Sequence, residues 1–166
     1  MERLRRKIDA ILVEWSANKE RMPLIIKGAR QIGKTEAISH FAGQHYQNVI
    51  AINFVLQKEY RSIFDDGYEV EAILRNISFL NPALKMEPGN TLIFFDELQA
   101  CPDCATSLKA FKLDGRYDVI CSVSLMGISY QEIESNSVGY KDDITMYPLD
   151  FEEYLWIKGY SDEKVE

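Results

Sequence analysis

Gly28-Ala29-Arg30-Gln31-Ile32-Gly33-Lys34-Thr35 fits G-x-x-x-x-G-K-[ST], the Walker A phosphate-loop pattern. The pattern works only between a buried strand and the first turn of a helix, so it dictates its surroundings. Both flanks comply. Leu24-Ile25-Ile26, entered through Pro23, is a short apolar run that reads as a buried strand. From Thr35 to Gly43, Ala37, Ile38 and Phe41 recur at helical spacing. The residue types follow from the chemistry of a phosphate. Gly28 and Gly33 let the backbone turn so that successive amides face the oxygens, and the helix N-terminus adds its positive end. Lys34 places a charge on the β- and γ-phosphates, and the Thr35 hydroxyl is a ligand for Mg²⁺. The expected nucleotide-contacting set is Gly28, Ala29, Arg30, Gln31, Ile32, Gly33, Lys34, Thr35 and Glu36.

Such a loop needs a sheet and a core behind it. The chain has 166 residues, 46% of them hydrophobic, which suffices for one domain with a substantial core. A net charge of −7 disfavours non-specific nucleic-acid binding. No run of 18 apolar residues marks a membrane span, and the basic N-terminus lacks the apolar stretch of a signal peptide. Three cysteines, an odd number, suit a reducing compartment, so a cytoplasmic location is expected.

Along the chain, Leu4, Ile8, Ile11, Leu12 and Trp15 form a helical stripe, and a packing helix is expected over Met1 to Trp15. Its basic opening, Arg3, Arg5, Arg6 and Lys7, reads as a solvated face, with contact to nucleic acid or an acidic partner as the other reading. A second strand is expected from Asn48 to Phe54. Glu59 to Leu80 reads as helix in two pieces, broken at Asp65-Asp66-Gly67. Further expectations are a strand at Thr91 to Asp96, a helix near Asp103 to Lys112, a strand at Tyr117 to Val123 and a strand around Ile144 to Tyr147. A last helix begins after Asp150, where Glu153 three residues on makes a capping box. Strands alternating with helices, most of the strands apolar throughout, predict an α/β fold with a parallel sheet covered on both faces.

Leu92-Ile93-Phe94-Phe95-Asp96-Glu97 is the second chemical motif: an apolar strand ending in an acid, about sixty residues after the first. Asp96, at the carboxyl end of the strand, is the expected second holder of Mg²⁺. Glu97 is placed to orient and polarise an attacking water, the role that hydrolysis needs.

Together with Ile52-Asn53-Phe54, Leu98-Gln99, Cys101-Pro102 and Met146-Tyr147-Pro148-Leu149-Asp150-Phe151-Glu152-Glu153-Tyr154-Leu155, these motifs resemble one family. It comprises the AAA+-type P-loop ATPases of bacteria and archaea that carry a second, uncharacterised C-terminal domain. The resemblance runs from about Arg3 to Trp156. It implies a three-layer P-loop sandwich with a mainly parallel five-stranded sheet in the order 5-1-4-3-2. It also implies a polar sensor for the γ-phosphate after the fourth strand, where Ser124 matches and Val123 replaces the usual glycine. Val55 stands where an acid commonly follows Asn-Phe. The family's helical lid, sensor arginine and C-terminal domain find no counterpart here, so residues 1–166, with 1–17 as packing helix, are expected to be the ATPase part of a longer protein or a shortened member. The activity implied is MgATP binding, with hydrolysis in the full-length context. A nucleotide-controlled interaction module with little turnover is the alternative, and phosphoryl transfer to a small-molecule hydroxyl is disfavoured. Expected partners are ATP and a homo-oligomer or second protein reached through the C-terminal part; nucleic acid is unsupported.

Other chemistry-bearing residues receive plainer readings. Arg30 lies within the loop, where a structural or interfacial role is favoured over phosphate contact. Arg116, before the fourth strand, has the residue type of an arginine finger towards a neighbouring subunit. Cys101-Pro102-Asp103-Cys104 reads as a helix start; zinc would need two further ligands, and Cys121, His40 and His45 lack complementary spacing.

Overall fold

The computed structural model describes residues 5–124 and 139–159. Met1 to Leu4, with Arg3 of the basic opening, and Leu125-Met126-Gly127 lie outside them. In chain order the elements are α1 (Lys7–Ala17), β1 (Leu24–Gly28), α2 (Lys34–His45), β2 (Asn48–Asn53), a 3-10 helix (Lys58–Phe64) and α3 (Val70–Leu80). Then follow β3 (Thr91–Asp96), a 3-10 turn (Leu98–Ala100), α4 (Asp103–Asp114), β4 (Asp118–Ser124), β5 (Asp142–Thr145) and α5 (Phe151–Ile157). The five strands form one sheet in the order β2-β3-β4-β1-β5, with every pairing parallel. Read from the other edge this is 5-1-4-3-2, the order that the resemblance implies.

The period-2 alternation of strand side chains divides the core into two layers. Leu24, Ile26, Leu92, Phe94 and Ile120 face α1 and α2, meeting Ile8, Leu12, Trp15, Ile38 and Phe41. Ile25, Ile50, Ile52, Ile93, Phe95, Val119 and Cys121 face the other way, onto Ile73, Ile77, Leu108 and Phe111 of α3 and α4. Both faces are thus covered, which is why β1, β3 and β4 read as unbroken apolar runs. Phe95 anchors the second layer, stacking on Phe54 with centroids 5.6 Å apart and meeting Phe111 edge-on at 6.1 Å.

Two expected boundaries are corrected. Among the described residues the first helix begins at Lys7: Arg6, where helix was expected, is extended (φ −125°, ψ 153°) and donates its N–H to Asp9 Oδ2 at 2.8 Å, and the expected start at Met1 lies outside the described residues. That carboxylate satisfies the amide of the residue before the helix. Both helical pieces expected over Glu59–Leu80 are present, the first a 3-10 helix closed by the turn at Asp65–Gly67, where Gly67 has φ 106°. The last strand lies at Asp142–Thr145, two residues before its expected place, because pairing with Leu24–Lys27 sets its bounds. The remaining elements stand within about two residues of expectation, and the Asp150–Glu153 capping box is present.

Candidate nucleotide site at the carboxyl ends of the strands

The parallel arrangement brings the ends of β1, β3 and β4 to one edge of the sheet, and both sequence motifs meet there. β1 ends at Gly28, and α2 starts six residues later. Between them Gln31 (φ 61°) and Gly33 (φ 97°) adopt left-handed conformations on either side of Ile32, which turns the loop back on itself. A left-handed Gln31 was not foreseen; a side chain there strains the backbone by about 1–2 kcal/mol. Gly28 is required for a reason other than the one expected. Its φ is unexceptional, but an added Cβ would lie 2.6 Å from the Met146 carbonyl oxygen and 2.6 Å from Ile32 Cδ1. Close passage of the segment after β5, not backbone turning, excludes a side chain.

Gly33 is the N-cap of α2 and brings no side chain to bond the first amides of that helix. Lys34 is buried, and its Nζ donates to the carbonyls of Gly28, at 3.0 Å, and Ala29. Burial pushes its pKa below the ordinary value, opposed by the negative charges of Glu97 and Asp96.

Asp96, at the end of β3, is the hub. It accepts from Thr35 Oγ1 at 3.1 Å, from Asn53 Nδ2 at 3.3 Å and from the Ser122 hydroxyl. The side chain is almost wholly buried. Glu97 follows in a left-handed conformation (φ 61°, ψ 52°), which turns the chain out of the strand. Its N–H donates to Ser122 Oγ at 2.9 Å. Its carboxylate accepts from Gln99 Nε2 and, at 3.4 Å, from Ser124 Oγ; Gln99 Oε1 in turn accepts the Ser124 N–H at 3.1 Å.

These groups border a cavity of about 550 Å³, within the usual size for small-molecule sites. Of the candidate residues, Arg30, Gln31, Gly33, Lys34, Thr35, Glu36, Asp96, Glu97 and Ser124 line it. Gly28, Ala29 and Ile32 do not; Ile32 packs against the α1–α2 layer. Asn53, Val55 and Leu56 complete the lining and had been assigned no site role. Ser122 and Gln99 were also missed. A readable signal existed for Ser122, a hydroxyl inside an apolar strand and two residues before Ser124. Extending the Leu92↔Asp118 and Phe94↔Ile120 register by two residues sets it beside Asp96.

The remaining candidates lie elsewhere. Arg116 sits at the amino end of β4, the opposite edge of the sheet, tied to Asp114 and Glu71. The basic opening is no solvated face at Arg6, whose side chain is largely covered by the loop and α5, and Lys7 Nζ pairs with Asp150 at 2.7 Å. Cys101, Cys104 and Cys121 are free and buried around the start of α4; burial pushes the Cys101 thiol up to about 11. His45 stacks on Phe41 on the far turn of α2, and His40 is exposed.

A parallel sheet in this order, with a glycine loop at the end of β1 and an acid at the end of β3, defines a P-loop nucleotide-binding domain. The family described as AAA domain matches residues 20–155, and the chain belongs to that family. Among solved structures the chain resembles C. elegans PCH-2 (14% identity, TM-score 0.50, 92% of this chain and 45% of that one). It also resembles a chain of Drosophila ORC bound to DNA (16% identity, TM-score 0.56, 90% of this chain and 44% of that one). It therefore spans less than half the length of each. No curated protein matches. Among the described residues no helix is long and apolar enough to cross a membrane.

Proposed function

We propose that the chain binds ATP with Mg²⁺ in the cavity at the strand ends and hydrolyses it, as the ATPase domain of its protein. The observation that carries the reading is the meeting of Thr35, Asp96 and Glu97, drawn from two motifs and joined by direct hydrogen bonds or by Ser122. The donor set fits the metal. A hydroxyl and a carboxylate, both hard oxygen ligands, stand side by side, and Mg²⁺ takes few protein ligands while keeping several waters. Thr35 and Asp96 would hold the ion, whose contribution when bound is to neutralise charge on the phosphates.

The chain's own groups supply the rest. Loop amides and the first amides of α2 receive the phosphate oxygens. Lys34 exchanges its carbonyl partners at Gly28 and Ala29 for phosphate oxygens. Burial lowers its pKa from the ordinary value, and the negative charges of Glu97 and Asp96 oppose that shift. Glu97 accepts a hydrogen bond from the attacking water and orients it, with Gln99 and Ser124 bracing the carboxylate. The cavity's other wall, Val55 and Leu56, is apolar and exposed.

A second reading, a nucleotide-controlled switch with little turnover, draws on that same bracing. A carboxylate that already accepts from two side chains is held back from water until something releases it.

The test of binding is thermal. ATP with Mg²⁺ is expected to raise the melting temperature, by an amount growing with concentration above Kd. Lys34→Ala is expected to remove most of that rise. Equal ATP-induced shifts in wild type and variant would end the assignment.

A further inference from the structure

Arg6 precedes α1 at a position where short polar side chains are the rule, and its guanidinium is committed elsewhere. Nε donates to Glu153 Oε2 at 2.7 Å, one terminal nitrogen donates to the Ile32 carbonyl at 2.8 Å, and the other donates to the Tyr147 carbonyl at 2.9 Å. The pair is enclosed, with side-chain exposures of 11% for Arg6 and 5% for Glu153. Glu153 is satisfied from two further directions, by Lys7 N–H at 2.9 Å and Asp150 N–H at 3.1 Å. Arg6 therefore ties three segments together: the start of α1, the phosphate loop and α5.

Where it grips the loop matters. The Ile32 carbonyl and the Gly33 N–H belong to one planar trans peptide and point in opposite directions. Holding that carbonyl on Arg6 aims the Gly33 amide away from the guanidinium, and Gly33 lines the cavity together with Lys34 and Thr35. The fit is close: a Cβ on Gly33 would stand 3.2 Å from Arg6 Nη1. Arg6 does not itself border the cavity.

We propose that Arg6 is a positioning residue for the phosphate loop, setting the Ile32–Gly33 peptide for anion binding, and that Glu153 holds Arg6 in place, so that nucleotide affinity depends on the docking of α5. The proposal rests on the ATP reading above. Lysine cannot replace arginine here, since one ammonium cannot span a carboxylate and two carbonyls in the directions that the planar fork reaches.

The experiment uses the full chain and two readouts. A fluorescent ATP analogue with Mg²⁺ is titrated into wild type, Arg6→Lys, Glu153→Gln and Arg21→Ala. Amide hydrogen exchange over residues 29–36 is followed in the same proteins without nucleotide. Arg21→Ala is the control, because it breaks the Arg21–Asp118 pair at the opposite edge of the sheet. Arg6→Lys is expected to weaken binding about 10–100-fold, by analogy with the loss of a partner that orients a metal ligand. Exchange at the Gly33 amide should quicken even without nucleotide, and Glu153→Gln should act in the same direction. Arg21→Ala should lower the melting temperature and leave affinity unchanged. Wild-type affinity and exchange in Arg6→Lys would overturn the proposal, as would an equal loss of affinity in Arg21→Ala, which would make the effect one of general stability. Should the wild type fail to bind the analogue, the ATP reading falls, and unchanged Gly33 exchange in Arg6→Lys would still overturn the positioning role by itself.

Discussion

Ser122 shows how much one hydroxyl can hold. It is fully buried, donates to the Asp96 carboxylate and accepts the Glu97 N–H at 2.9 Å, so one oxygen fixes the acid at the end of β3 and the turn that presents its neighbour. Glu97 needs that support, since a non-glycine residue in the left-handed region is strained by about 1–2 kcal/mol. Ser122→Ala leaves a buried N–H without its partner and Asp96 with one donor fewer. The expected loss is about 1–3 kcal/mol in urea denaturation. A loss below about 0.5 kcal/mol would mean that a water replaces the hydroxyl. The same local logic explains why Gly28 admits nothing larger: the Met146 carbonyl occupies the space.

Among the elements, α5 is too short to persist by its own propensity and depends on its start. Asp150 accepts the Glu153 N–H at 2.8 Å, and Glu153 accepts the Asp150 N–H in return. The Lys7 ammonium, and after it the Glu153 amide, hold the Asp150 carboxyl below its ordinary value of 3.8. The folded-state pKa is depressed, so this stabilisation is fully present above the unfolded value and is lost as pH falls through the folded one. Asp150→Ala should therefore cost about 0.5–2 kcal/mol at neutral pH. The gap between wild type and variant should narrow below about pH 4. Denaturation curves at pH 7 and in stepwise acid measure it, and a gap that widens in acid would exclude the cap as its source.

At the scale of the whole molecule, hydrolysis asks for more positive charge than the cavity securely holds. Water attack on the γ-phosphate needs a carboxylate, a metal and a cation for the developing charge. Lys34 is in place. Arg30 borders the cavity exposed and has no hydrogen-bond or ion-pair partner among the described residues, and Arg116 is tied at the far edge. An arginine from another subunit contributes about 10³–10⁵ in rate where it operates. The isolated chain is accordingly expected to bind ATP and turn it over well below about one per second, a slow rate for an enzyme. Glu97→Gln should remove the remaining turnover while binding persists. Turnover at several per second would show that the chain's own cations, Arg30 foremost, suffice. Unchanged turnover in Glu97→Gln would take that carboxylate out of the mechanism.

The phosphate loop and the acid-ended strand were legible from local pattern, because each depends on residues within about ten positions of one another, and the α/β class followed from the alternation of such locally readable elements along the chain. A glycine at a turn, an apolar run and a capping pair declare themselves without knowledge of the rest. Strand order was not readable from spacing and came only through the family resemblance. What only the tertiary structure decided lies between segments far apart in the chain. Parallel register sets Ser122 beside Asp96, 26 residues away. The fold likewise brings Ser124 to the Glu97 carboxylate, 27 residues away. Folding joins Arg6 to Glu153 across 147 positions and turns an apparent surface charge into a largely covered brace behind the loop. No period of 2 or 3.6 encodes such pairings; they exist only once the sheet has chosen its neighbours and the helices have covered its faces.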